Sequence, residues 1–261
     1  MGIVETASFP ALACRLLAFD TATESTSLAL VTPSRLLTLD APGGAKASTQ
    51  LLPDIRALLE QGGCSLADVD AIAFGCGPGA FTGLRTACSV AQGLAFGAAK
   101  PVMPVDSLML VAESVRDAMA STGADVVWVA QDARMGEIYA AAYRWQGERP
   151  ERWQTLVAPA LYAIDALNER WSRHASTGSV DAVLAAAALR EMHAQLRFRA
   201  GPALEAGAAI SRALALARLS ISLWQDGIRL DAAQALPLYL RDKVALTTAE
   251  RDADRAAKAV A

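Results

Sequence analysis

Apolar runs and polar breaks alternate from the start of the chain. Cys14 to Phe19 is apolar apart from Arg15 and stops at Asp20-Thr21-Ala22-Thr23. Ser27 to Val31 resumes the apolar pattern, and Leu36 to Leu39 repeats it. This spacing predicts strand, polar turn, strand, then a third strand, a meander rather than an immediate βαβ unit. From Thr49 to Glu60, Leu51, Leu52, Ile55, Leu58 and Leu59 fall at helical spacing, with Ser48 or Thr49 to cap and Gly62-Gly63 to stop. Ile72 to Cys76 reads as a buried strand. Gly77-Pro78-Gly79-Ala80-Phe81-Thr82-Gly83 is the sharpest break in the chain, and a helix is expected from Leu84 to about Gly97. Val102 to Val105 predicts a short strand, and Asp106 to Met119 a helix capped by Asp106 or Ser107.

The second half is less regular. Ala120 to Asp125 is the expected crossing between lobes. Val126 to Ala130 and Ile138 to Trp145 predict strands, and Trp153 to Val157 a third. Pro159 to Trp171 has a helical pattern with proline near its start. Ala182 to Leu196 is rich in alanine and has high helix propensity, subject to tertiary context. Glu205 to Trp224 carries Ile210, Leu214, Ala217 and Ile221 on one helical face. Thr247 to Ala261 is a polar, alanine-rich end expected to fray. The layout is an α/β protein of two small lobes: an extension over 1–13, lobe I over 14–118, lobe II over 119–202, a segment over 203–243 whose helix could either stay with lobe II or return to lobe I, and a tail over 244–261.

Composition narrows the chemistry. The chain has 261 residues with 53% hydrophobic and 20% charged, enough to bury a core without disulfides or metal. A net charge of −3 gives no global attraction to nucleic acid. The four cysteines, Cys14, Cys64, Cys76 and Cys88, form no CxxC pair and read as small apolar fillers in a reducing compartment. Two histidines, His174 and His193, are too far apart for HxxxH, so zinc chemistry is unsupported and no metal ligands are assigned. The first residues lack the basic segment of a signal peptide, and no apolar run is long enough to span a membrane. A cytoplasmic protein is expected.

Several places carry candidate chemistry. Gly77, Gly79 and Gly83 sit between a strand and a helix, a context that aims backbone N–H groups at an anion or that simply makes a tight turn. The string matches neither a Walker A loop nor GxGxxG. Asp20, Thr21 and Thr23 lie in a strand–strand turn that could hold phosphate oxygens or hydrated magnesium, or could bond to its own backbone. Asp132, Arg134 and Glu137 put both charge signs in one loop, either as an internal ion pair or as a binding edge. Arg85, in the first turn of a helix, opposes the helix dipole and calls for a partner. Ala87, Ala91 and Ala95 form a stripe of small residues; with Leu51 and Ile55 they make a candidate helix-pair interface or an ordinary core. No Ser-His-Asp or Cys-His arrangement declares itself.

Together these strings resemble the TsaB (YeaZ) family. The resemblance rests on Phe19 to Thr23, Leu51-Leu52-Pro53, Ala73-Phe74-Gly75, the string Gly77 to Arg85, Ala91 to Ala95, Asp132 to Tyr139, and Pro237-Leu238-Tyr239-Leu240-Arg241, in the family's order over about residues 14–243. It implies an actin-like, Hsp70-like ATPase fold with two RNase H-like lobes, mixed sheets and flanking helices, the segment over 203–243 returning to lobe I. It implies a non-catalytic partner in making N6-threonylcarbamoyladenosine at position 37 of tRNAs reading codons that start with A. The paralogue TsaD would carry the metal and the transfer, docking on the lobe I helices, and the ATPase TsaE would complete the assembly. tRNA contact is expected through the complex; a helical face otherwise left exposed predicts a homodimer in isolation, and no intrinsic cofactor is expected beyond weak ATP, ADP or Mg binding at the Asp20 turn and the glycine loop. Ala47 stands where several relatives have histidine, which weakens a catalytic reading. An ATP-binding kinase or ATPase, motivated by Asp20, the glycine loop and Asp132, is the alternative, and a glycoprotease has no visible machinery.

Overall fold

The structure, a computed structural model, describes residues 2–6, 12–147, 152–176, 182–187, 193–205 and 210–241. The tail over 244–261 lies outside them. The first sheet is built from β1 (Val4–Thr6), β2 (Leu16–Asp20), β3 (Ser25–Val31), β4 (Leu36–Pro42), β5 (Ala71–Gly77) and β6 (Val102–Asp106), in the order β1-β4-β3-β2-β5-β6. β2, β3 and β4 are an antiparallel meander, while β5 runs parallel to β2 and β6 parallel to β5. Two helices, α1 (Ala47–Gly62) and α2 (Phe81–Ala98), cover one face, with Leu17, Phe19, Ile72 and Phe74 packed beneath Leu51, Ile55 and Ala91. The other face presents Leu16, Ala18, Ala71 and Ala73 to a later helix. Strands covered on both sides read as continuous apolar runs, which explains the weak alternation in β2 and β5.

The second half repeats this plan. After α3 (Ser107–Ala120) come β7 (Val126–Asp132), β8 (Glu137–Trp145), β9 (Trp153–Ala163), α4 (Ile164–Ser176), β10 (Ala182–Ala187) and β11 (Ala203–Glu205). The sheet order is β11-β10-β7-β8-β9, again an antiparallel meander with two further strands parallel to its first. α3 covers one face with Val111 and Val115 against Val127, Val129 and Tyr143. α4 covers the other with Leu167 and Trp171 against Trp128 and Ile138. The last helix, α5 (Arg212–Gln225), returns to the open face of the first sheet, where Ala215, Leu216 and Leu219 bury against Leu16 and Ala29.

Four expectations are corrected. Pro159 does not begin a helix: β9 continues to Ala163, and its register slips between the partners of Ala140 and Ala142. Proline is tolerated there because β9 is an edge strand and the slip removes the need for its N–H. Ala182 to Ala187 is a strand, not a helix, because burial between β7 and β11 outweighs intrinsic propensity. The helix expected from Glu205 starts at Arg212, where the Ser211 hydroxyl accepts from the Leu214 N–H at 3.2 Å. The expected extension contributes β1, which pairs with β4 through Val4–Thr38, Glu5–Leu37 and Thr6–Leu36; three residues carry too little pattern to announce a strand.

Candidate functional site at the interlobe cleft

The duplicated topology brings the turn after β2 and the turn after β7 to one place. Glu24 and Arg134, one from each turn, form an ion pair at 2.8 Å, exposed on both sides. Behind it lies Asp20, fully buried at the end of β2. Its Oδ1 accepts from the Ala22 N–H at 3.0 Å and from Arg212 at 3.2 Å. Its Oδ2 accepts from the Ser107 hydroxyl at 2.7 Å, and the same hydroxyl accepts from the Gly77 N–H at 3.2 Å. Gly75 leaves the space for this carboxylate, since a Cβ there would overlap Oδ2. A carboxylate so enclosed needs each of these partners, because an unpaired buried charge costs several kcal/mol, on the order of 3 or more.

The glycine loop packs on the turn rather than opening onto solvent. A Cβ at Gly79 would collide with the Ala22 carbonyl, and one at Gly83 with the Thr21 carbonyl. The Thr21 hydroxyl donates to the Gly83 carbonyl at 2.6 Å, and the Ala80 N–H donates to the Ala22 carbonyl at 2.8 Å. Gly77 holds φ +110, a left-handed conformation that favours glycine. Thr23 bonds within its own turn, accepting from the Ser25 N–H and donating to the Ser25 carbonyl. Asp132 accepts from the Arg134 N–H at 2.6 Å, and Arg134, Met135 and Gly136 all adopt positive φ around it. The structure therefore brings Asp20, Thr21, Gly77, Gly79 and Gly83 together in one bonded cluster and sets Asp132 in the facing hairpin. Asp20, Thr21, Gly77, Gly83 and Asp132 each hydrogen-bond within the chain, and Gly79 packs against the Ala22 carbonyl.

Further cross-lobe contacts tie the cleft. The Tyr143 hydroxyl donates to Asp106 Oδ2 at 2.6 Å, while Asp106 Oδ1 caps α3 through the Leu108 and Met109 N–H groups. Burial pushes the Asp106 carboxyl above its ordinary range, against the pull of the Tyr143 hydrogen bond. Burial likewise drives the Tyr143 phenol well above its usual value, reinforced by the Asp106 charge. Arg241 pairs with Glu137 and donates to the Arg134 carbonyl at 3.2 Å. Cys76 and Cys88 are free thiols that burial raises to about 12, which keeps them protonated and unreactive near neutral pH. Among the described residues no group of three or more His, Cys, Asp or Glu could hold a metal ion, and no helix is long and apolar enough to cross a membrane.

The helix-pair expectation is corrected. Leu51, Ile55, Ala87, Ala91 and Ala95 are at most 3% exposed and lie inside the first core. Small residues on α2 let it approach its own sheet and α1 closely. What α1 and α2 present outward is Leu52, 51% exposed, and Phe96, 82% exposed. Among the described residues Arg85 meets no carboxylate; its guanidinium lies 3.9 Å from the Phe81 ring centre and its Nε donates to the Tyr239 hydroxyl at 2.9 Å. Sequence reasoning missed Arg212, Tyr143 and the role of Ser107 beyond capping. Only the Pro237–Arg241 string hinted at the strand of chain that reaches Arg85 and Glu137.

Two lobes, each a three-strand meander extended by two parallel strands and covered by helices, with β1 added at the edge of the first, define a duplicated two-lobed α/β fold with mixed sheets. The family described as "TsaD: tRNA N6-adenosine threonylcarbamoyltransferase" matches residues 27–192, more than half of the chain. The chain is 41% identical over 143 residues to the tRNA threonylcarbamoyladenosine biosynthesis protein TsaB of Escherichia coli, covering 52% of this chain and 61% of that one. It is 42% identical over 124 residues to the TsaB of Haemophilus influenzae, covering 48% and 51%. These matches span about half to three fifths of the length of those relatives. The structure of YeaZ from Pseudomonas aeruginosa superposes with a TM-score of 0.71 at 34% identity, covering 87% of this chain and all of that one. The chain belongs to this family, in its TsaB (YeaZ) branch.

Proposed function

We propose that this chain is a non-catalytic partner subunit in the synthesis of N6-threonylcarbamoyladenosine at position 37 of tRNA. Membership of the TsaB branch supports the pathway. The observation that carries the non-catalytic role is the enclosure of the Asp20 carboxylate by partners from its own chain. Asp20 is held by Arg212, Ser107 and the Ala22 amide, where a metal-dependent ATPase needs a carboxylate free to meet a cation. The transfer chemistry then belongs to the paralogue TsaD, with the ATPase TsaE completing the assembly and tRNA engaged through the complex. In this reading the pathway's ATP acts elsewhere, and this chain holds ATP, ADP or Mg weakly or not at all. The reading places the protein in the cytoplasm with its tRNA substrate.

The partner surface in this reading is the outward face of α1 and α2. Large apolar side chains left in water, such as Leu52 and Phe96, favour a docked partner. The same face would pair with a second copy when TsaD is absent. Leu52→Arg and Phe96→Arg are expected to weaken capture of TsaD at least about tenfold by placing charge in the contact, with the fold intact. Unchanged affinity in both variants would remove α1 and α2 as the docking face. Titration calorimetry with ATP and magnesium separates the alternative: saturable binding at micromolar concentration would favour an ATP-using enzyme.

A further inference from the structure

After α5 the chain runs back along lobe I and then leaves it. Leu230 pairs with Val102 at the start of β6, and the turn at Ala232–Gln234 packs beside α2. The Leu238 N–H donates to the Cys76 carbonyl at 2.7 Å, at the end of β5. Tyr239 lies against the first turn of α2, its ring 5.2 Å from that of Phe81 and its hydroxyl bonded to Arg85. Two residues later Arg241 is on lobe II, bonded to Glu137, to the Arg134 carbonyl and, at 3.2 Å, to Met135 Sδ. Ala235–Arg241 thus runs from the lobe I core past the N-terminal end of α2 to the hairpin between β7 and β8.

We propose that Ala235–Arg241 is a latch that couples the surface of α2 to the lobe II hairpin. Three features give it this property. Its lobe I anchor is exposed: Arg85 faces solvent and Tyr239 is 46% exposed, so a molecule docking over the N-terminal end of α2 must touch it. Its lobe II anchor is partly buried, with the Arg241 side chain 14% exposed, so it holds the hairpin firmly. The hairpin is otherwise weakly founded: Arg134 and Met135 are non-glycine residues at φ +66 and +57, and the cross-lobe Glu24–Arg134 pair is exposed on both sides. The latch, rather than a ligand between the lobes, sets the hairpin's position, and loosening it at α2 frees the hairpin. This inference holds whether or not the reaction proposed above is correct.

Hydrogen exchange on the full chain tests it, read at the Ala133 and Glu137 amides, which close the hairpin through bonds to the Glu137 and Arg134 carbonyls. Arg241→Met removes the lobe II anchor; Arg85→Ala removes only the pin on α2, which does not touch the hairpin. Both are expected to speed exchange at these amides about fivefold or more, with the α1 amides of Ile55 to Leu59 unchanged as a control for global stability. Acceleration by Arg241→Met alone would reduce the segment to a local ion pair and overturn the coupling. No acceleration by either would overturn the latch.

Discussion

Replacing Arg212 by methionine isolates the interaction on which the cleft reading depends. Asp20 is fully buried, and Arg212 at 3.2 Å is the cation recorded against it. Removing one partner of a buried pair costs about 3–5 kcal/mol, because the remaining charge is left uncompensated. Asp20 keeps the Ser107 and Ala22 bonds, so the lower end applies, about 3 kcal/mol. For a chain of this size that lowers the Tm by about 6–12 °C. Asp20→Asn is less severe, about 1–2 kcal/mol, since the amide accepts from Ala22 and Arg212 retains some contact with water. The double variant should be no worse than about the Asp20→Asn single, leaving a coupling of about 3 kcal/mol. Urea unfolding of the four proteins, with and without magnesium, measures it. A loss below about 1 kcal/mol for Arg212→Met, or simple additivity in the double variant, would refute the argument that Arg212 supplies the counter-charge. Rescue of Arg212→Met by magnesium would show instead that Asp20 retains a metal site.

Other expectations follow from the same geometry. Gly83→Ala should destabilise by about 2 kcal/mol or more in thermal unfolding, because its Cβ meets the Thr21 carbonyl. Ala91→Arg should prevent folding rather than merely block a partner, since the residue is fully buried; a folded variant by circular dichroism would contradict this. The Asp106 carboxyl has a folded-state pKa above its unfolded value of 3.8, so the folded protein binds its proton more tightly. Its contribution is therefore greatest below the unfolded value and falls as pH rises to the folded one. Relative to Asp106→Asn, the parent should gain Tm on acidification from neutrality towards 4; a constant difference would show that the group is not titrating in this window.

Much of lobe I was legible because its signals are local. The meander, the helix of Leu51 to Leu59 and the break at Gly77 each lie within about a dozen residues. Lobe II was harder where a tertiary setting reversed a local preference: the alanines of β10 are buried between two strands, and Pro159 survives on an edge. The cleft was legible in its loops but not in its chemistry. Asp20 announced itself as a turn carboxylate, yet its fate depends on Arg212, 192 positions away, and Ser107, 87 away. Nothing in the spacing around Arg212 marks it as a counter-ion. The alanine stripe of α2 showed a close helix contact without saying with what, and the contact is with the protein's own core.

The most direct test is reconstituted threonylcarbamoyl transfer to tRNA, with this chain alone, with TsaD and TsaE alone, and with all three together. The account predicts no transfer by this chain alone and full activity only in the complete mixture. Transfer by this chain alone would contradict it and would direct attention back to Asp20, Arg85 and Asp132.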